Sequence, residues 1–199
     1  MFSSSEEHAA EQFARREGSG GIRERKRRLF FAIWPDDDLR GAIEHGVRKP
    51  IRRSGGAAVP ARNLHVTLVF LGGVDAAGFE AAKAAAGSVR RPAFDLVLDR
   101  LETWPRQPLL CLAPSETCGP LRDLAIALRD QLDSRGFEIE RRPFRAHVTL
   151  ARKVNRPKAR EPIDLPAWAV REFVLVESVT GASGSEYTVV GRWPLEAGG

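Results

Sequence analysis

The chain has 199 residues, 43% of them hydrophobic, with a formal net charge of +5 and an isoelectric point near 9.7. That length suits one compact domain or two small pseudo-symmetric lobes, and no apolar run is long enough to span a bilayer. The basic balance admits an anionic partner such as RNA without requiring one, because the excess is almost all arginine in an Ala- and Gly-rich chain. Two cysteines, Cys111 and Cys118, fit no zinc spacing and are too few for a disulfide framework. The polar N-terminus has no signal-peptide apolar stretch, so a cytoplasmic protein with reduced thiols is expected.

Residues 1–28 are rich in Ser, Glu, Arg and Gly and read as a disordered basic tail, with Gly18 to Gly21 as a flexible link. Leu29 to Trp34 predicts a buried strand. Asp36, Asp37 and Asp38 follow Pro35 and supply an N-cap and an acidic first turn. The helix they open runs to about Arg53, with Leu39, Ile43, Val47 and Ile51 on one stripe and Ser54-Gly55-Gly56 at its end. Leu64 to Leu71 is the next strand, closed by Gly72-Gly73. Asp75 caps an Ala-rich helix to Gly87. Phe94 to Leu101 alternates like a half-buried strand, and Leu109 to Ala113 pairs with it across a turn at 104–108. Leu121, Leu124, Ala125, Leu128 and Leu132 stripe a helix from Cys118 or Gly119 to Arg135, with Gly136 as its C-cap. Phe144 to Ala151, Val170 to Val179 and Tyr187 to Trp193 are the remaining strands, with a basic Pro-containing loop at 154–166.

The tetrapeptide His-Val-Thr-Leu occurs twice, at 65–68 and 147–150, 82 residues apart and each time inside an apolar strand. Alternate side chains of a strand share a face. His65 and Thr67 therefore point one way and Val66 and Leu68 the other, and the second copy repeats the pattern. Two similar parts, each with a central His-x-Thr strand, imply an α+β fold. Its expected form is bilobal, with pseudo-duplicated β-α-β-α-β lobes, two antiparallel-rich sheets facing a central cleft and helices outside. The folded unit is expected over 29–195, with 196–199 as a flexible C-terminus.

The segments Asn63 to Gly72 and Arg142 to Arg152 resemble the two signatures of the two-histidine phosphoesterase superfamily, nearest its RNA 2′,3′-cyclic phosphodiesterase branch, also called the bacterial 2′-5′ RNA ligase family. The likeness extends to Leu29 to Ile33, Trp104-Pro105-Arg106, and Leu175 to Ser178 with Tyr187. One departure is Ala146, where the family often has Pro. The resemblance implies catalysis by His65 and His147, with His65 as general acid to the leaving O3′ and His147 as general base for water. It implies a 2′-phosphate product and a weak reverse joining of ends as a 2′-5′ linkage.

Opening a cyclic phosphate in line needs a proton taken from water and a proton given to a ribose oxygen, and histidine suits both near neutral pH. Thr67 and Thr149 can donate hydrogen bonds to the phosphoryl oxygens. Arg106, Arg142 and Arg152 are further candidate phosphate or RNA contacts. Arg152 lies five positions past His147, so it reaches the site only if the strand ends or bulges near Ala151. Phe70, Phe144 and Trp34 are read as core residues before base-stacking ones. No metal or other cofactor is expected. The expected partner is RNA with a 2′,3′-cyclic phosphate end, tRNA fragments included. No membrane contact is expected, and the chain is read as a monomer. No ATP-dependent ligase motif is present. The alternatives are a phosphodiesterase for 2′-5′ oligonucleotides or small cyclic nucleotides, and a non-catalytic RNA- or nucleotide-binding module.

Overall fold

Apolar alternation along most of the strands assembles them into one antiparallel sheet, seen in a computed structural model that describes residues 26–104, 107–157, 160–181 and 184–197. The expected tail up to residue 25, Arg106 and the last two residues lie outside the described residues. The strands are β1 (Arg27–Ile33), β2 (Ala57–Ala58), β3 (Val66–Val74), β4 (Phe94–Leu96), β5 (Arg100–Trp104), β6 (Leu109–Ala113), β7 (Val148–Arg152), β8 (Glu161–Pro162), β9 (Trp168–Val170), β10 (Glu172–Gly181) and β11 (Gly184–Pro194). The helices are α1 (Asp37–Ser54), α2 (Ala76–Gly87) and α3 (Gly119–Asp133).

Two of the three helices, α1 and α2, start at the aspartates expected to cap them. Asp36 accepts from the Leu39 amide at 2.8 Å and Asp75 from the Gly78 amide at 2.8 Å, each satisfying an otherwise unpaired N–H of a first turn. Gly55 ends α1 in the left-handed region at φ 65°, and a side chain there would collide with Asn155. Leu39, Ile43 and Val47 of α1 are buried, as are Leu121, Leu124, Ala125, Leu128 and Leu132 of α3. Each such leucine contributes about 1.5–3 kcal/mol by leaving water.

The sheet runs β11-β10-β1-β3-β7-β6-β5-β8, with β2 also on β7, and a separate pair joins β4 to β9. This is the expected α+β class with a large antiparallel sheet. Its two halves are continuous, joined through β3 and β7 at the single pair Val66↔Val148. They are also not consecutive stretches of chain. The C-terminal β10 and β11 complete the first half beside β1, while β5, β6 and β8 complete the second. The repeated unit is strand, helix, His-x-Thr strand: β1-α1-β3 and β6-α3-β7. The helices are exchanged, since α1 contacts β7 while α3 contacts β3. The main core lies between the sheet and these helices.

Boundaries differ from the sequence reading in five places. The first motif strand starts at Val66 and runs through Gly72-Gly73 to Val74 instead of closing there, and α3 ends at Asp133 with Ser134, not Gly136, as its C-cap. The strand expected over 94–101 is divided into β4 and the start of β5, which belong to different sheets. The strand expected from 170 is divided at Arg171 for the same reason. The second motif strand starts only at Val148, because the Arg145 carbonyl is taken by the His147 ring rather than by a neighbouring strand.

Candidate active site

Both motif strands carry a bulge at the leucine of His-Val-Thr-Leu. On β3 the register passes from Ala32↔Thr67 to Phe31↔Val69, leaving Leu68 extra; on β7 it passes from Cys111↔Thr149 to Leu110↔Ala151, leaving Leu150 extra. A bulge reverses the alternation beyond it. Phe70 therefore joins the face of Thr67, opposite Phe30, and Arg152 joins the face of Thr149. That is the bulge on which the candidacy of Arg152 depended. Phe70 and Arg152 hold equivalent places in the two copies, each five residues past its histidine. Phe70 is 49% exposed, so it lies at the site face and not in the core.

The halves meet at Val66 and Val148, each one residue from a histidine and one from a threonine. His65 and His147 are held by the same local device. His65 Nδ1 donates to the Asn63 carbonyl at 2.7 Å, and His147 Nδ1 donates to the Arg145 carbonyl at 2.9 Å. Fixing the proton on Nδ1 leaves Nε2 for exchange with a substrate. At His65, the Thr67 hydroxyl donates to that Nε2 at 3.1 Å.

Their surroundings differ. The His65 ring stacks on Trp34, at 5.3 Å between centroids and 7° between planes, and meets Phe30 at 4.9 Å and the edge of Tyr187 at 5.4 Å. Asn63 is buried, and its side chain donates to the Ser185 carbonyl at 2.9 Å, tying the histidine's support to the start of β11. Burial in this aromatic wall pushes the His65 pKa down to about 4. The Asn63 carbonyl acts against it, and the charges of His147 and Arg152 reinforce it. His65 is thus neutral at neutral pH, and its electrostatic neighbours come from the other half of the sheet.

His147 lies 4.4 Å from the Trp104 ring, and the Arg145 guanidinium covers that ring at 4.3 Å. Arg145 donates to buried Glu102 at 2.7 Å, and the Trp104 indole donates to the same carboxylate oxygen at 2.9 Å. Burial acts to raise the Glu102 pKa. The Trp104 hydrogen bond and the charges of Arg145 and Arg100 outweigh it and hold the carboxyl below the usual range. Cys111, between Glu102 and Thr149 across the sheet, is pushed up to about 12 by burial and by the charge of Glu102, so it stays a thiol.

Of the arginine candidates, Arg152 is exposed on the site face, and among the described residues it has no ion-pair partner. Arg142 is exposed and paired with Glu140 instead. Phe144 packs against the main core. Trp34 packs with Phe30 and Tyr187 in a smaller cluster on the site face. Sequence reasoning gave no role to Asn63, Glu102 or Arg145. Two signals pointed to them: Asn63 and Arg145 share the position two before a histidine, and Glu102 is an acid inside an otherwise apolar strand. Among the described residues, no three His, Cys, Asp or Glu side chains are grouped to hold a metal.

Twin His-x-Thr strands abutting at the middle of an antiparallel sheet define a protein of the two-histidine phosphoesterase type. The profile of the 2′-5′ RNA ligase superfamily matches residues 35–180, and the chain belongs to that family. It is similar to the RNA 2′,3′-cyclic phosphodiesterase of Escherichia coli, 36% identical over 174 residues, covering 84% of this chain and 96% of the relative. The protein of that name from Thermus thermophilus is 32% identical over 181 residues, covering 84% and 90%. Among solved structures, E. coli LigT in its apo form superposes with a TM-score of 0.80 at 35% identity, covering 86% of this chain and 98% of that one. LigT complexed with 3′-AMP gives 0.77 at 34%, with the same coverage.

Proposed function

We propose that this chain hydrolyses RNA 2′,3′-cyclic phosphate ends to 2′-phosphates through His65 and His147. The observation that carries the reading is the junction at Val66↔Val148, which gathers two imidazoles and two threonine hydroxyls from distant parts of the chain. Relatives that cover most of their length with this chain bear that activity in their names.

In the reaction, one neutral histidine takes a proton from water as the water oxygen bonds to phosphorus. The P–O3′ bond breaks, and the other histidine gives its proton to O3′. A 2′-phosphate and a 3′-hydroxyl remain. With a 5′-hydroxyl in place of water the same steps form a 2′-5′ linkage. Thr67, Thr149 and Arg152 hold the non-bridging oxygens, where charge gathers. Phe70, exposed at the rim of the aromatic wall, offers a face to the terminal base.

The resemblance makes His65 the acid, yet its lowered pKa leaves it neutral. An anionic phosphoryl group beside it acts in the opposite direction to burial. His65 therefore takes up its proton together with the substrate. Once Nε2 is protonated it no longer accepts from Thr67, whose hydroxyl is released to the phosphate. The same observation favours a second division, with His65 as base and His147 as acid. A cyclic substrate with sulfur at the 3′ bridging position separates the two, because a thiolate leaves without an acid. It should restore turnover to His65→Ala and leave His147→Ala inactive; the reverse pattern exchanges the roles.

The primary test is incubation with a cyclic-phosphate-ended oligoribonucleotide in EDTA, beside 2′-5′ oligonucleotides and cyclic mononucleotides. A 2′-phosphate end is expected. Binding with no turnover of any of these overturns the enzymatic reading. The remaining expectations, a monomer acting in the cytoplasm on RNA ends such as those of tRNA fragments, belong to this proposal; no helix among the described residues is long and apolar enough to cross a membrane.

A further inference from the structure

We propose that Glu102 is a positioning residue for His147, acting through Arg145 and Trp104. Glu102 is 4% exposed, one of few buried polar side chains among the described residues and the one carboxylate. An ionised carboxylate is kept in such a place only when paired and hydrogen-bonded. Its partners converge from three segments: the Trp104 indole and the Arg100 Nε (3.8 Å) from its own strand, Arg145 from the approach to β7, and the Arg160 Nε (3.6 Å) from the approach to β8.

Two of these partners also hold His147. Arg145 supplies the carbonyl that fixes the proton on Nδ1, and Trp104 supplies the ring against which the imidazole lies. The stretch before β7 lacks ladder bonds, so nothing in the sheet itself fixes the Arg145 carbonyl. The Glu102–Arg145 bond, reinforced by the guanidinium on the Trp104 face, does so instead. The first half solves the same problem with neutral groups: Asn63 supplies the carbonyl, and its side chain is anchored to a backbone oxygen.

Glu102 also places a negative charge against the two groups that hold His147. Among the described residues, the titratable and charged groups around that region are His65 just before β3, Cys111 from β6, Arg100 and Glu102 from β5, Arg145 and Arg152 flanking the motif, and Arg160 from the loop before β8. Among these described groups, one carboxylate stands with four guanidinium groups. Removing its negative charge disfavours imidazolium at His147 and moves that titration to lower pH.

The inference rests on the catalytic reading above, and its test has a readout independent of turnover. Glu102→Gln keeps the shape and removes the charge. It should lower kcat on a cyclic-phosphate oligonucleotide roughly 10- to 100-fold with KM nearly unchanged, as loss of orientation does. NMR of the labelled imidazoles should show the His147 midpoint moved down while His65 stays. Glu102→Asp should recover part of both effects. Arg145→Met, at a half-exposed side chain, keeps the experiment decisive where Glu102→Gln does not fold: it should lower kcat, and Arg145→Lys should restore less than half. Wild-type kcat with an unmoved His147 titration in a folded Glu102→Gln or Arg145→Met overturns the assignment. A wild-type chain with no turnover instead removes the catalytic reading, and the NMR titration still decides whether Glu102 governs His147.

Discussion

The β3 half and the β7 half carry the same tetrapeptide, the same bulged leucine and the same imidazole-to-carbonyl bond two residues back, yet they support their histidines by opposite means. His65 leans on Phe30, Trp34 and Tyr187, with an amide as its anchor. His147 leans on one indole braced by a buried carboxylate and its arginines. Duplication alone would give two histidines with equal proton affinity. Acid–base catalysis needs one that starts charged and one that starts neutral. The unequal surroundings lower the proton affinity of His65 without altering the motif.

The largest effect expected comes from the motif itself. His65→Ala and His147→Ala should each lower cyclic-phosphate turnover by at least about 10²- to 10⁴-fold, the usual contribution of a positioned acid or base. The double variant should be little worse than either, since the pair acts as a unit. Circular dichroism should show the fold retained. Near-full activity in either single variant would falsify the pairing of the two halves.

Next in size is the contrast between Arg152 and Phe70, which hold equivalent places. Arg152→Met should weaken binding of a cyclic-phosphate end roughly 10-fold or more, the scale of a charged hydrogen bond. It should also raise the His65 titration, because the charge of Arg152 depresses it. Phe70→Ala should leave that titration in place and reduce binding in proportion to the stacking area of the terminal base. A shift of His65 in Phe70→Ala and none in Arg152→Met would reverse the division between an anion contact and a base contact.

These two residues also mark what could be read in the sequence. The helices were legible because caps and stripes are local signals: Asp36, Asp75, Gly55 and the leucines of α3 stand where the pattern puts them. The motif strands were legible from their apolar runs and their repetition. The bulges were not, since a bulge is set by the register of a partner strand. Without them Phe70 reads as core and Arg152 as turned away. The exchange of helices between halves and the joining of β10 to β1 were hidden for the same reason: strand pairing between distant segments leaves no local mark. Glu102 was hidden because its partners are brought together only by the fold.

The lowered pKa of His65 has a consequence for stability, with a definite sign. Above its ordinary value of 6.5 the imidazole is neutral in the folded and the unfolded chain alike. Between 6.5 and about 4 the unfolded chain binds a proton that the folded chain refuses. Stability therefore falls as pH drops through that window, by at most on the order of 3 kcal/mol. Urea midpoints at pH 7.5 and pH 4.5 should differ more for the wild type than for His65→Gln, which has no proton to bind. Equal differences would mean that the aromatic wall does not disfavour imidazolium.

The smallest effect is expected at Arg142, three residues before Arg145 and on the same approach to β7. Arg142 is exposed and its guanidinium is engaged by Glu140, also exposed, so the pair is worth little. Arg145 is engaged by a buried carboxylate and touches the ring beside His147. Two arginines in one segment are thus separated by what accepts their hydrogen bonds. Arg142→Ala should change turnover of a cyclic mononucleotide less than twofold and leave the His147 titration in place, while Arg145→Met changes both. If Arg142→Ala instead matches Arg145→Met on both measurements, general positive charge on this approach governs His147, and the bracing by Glu102 does not.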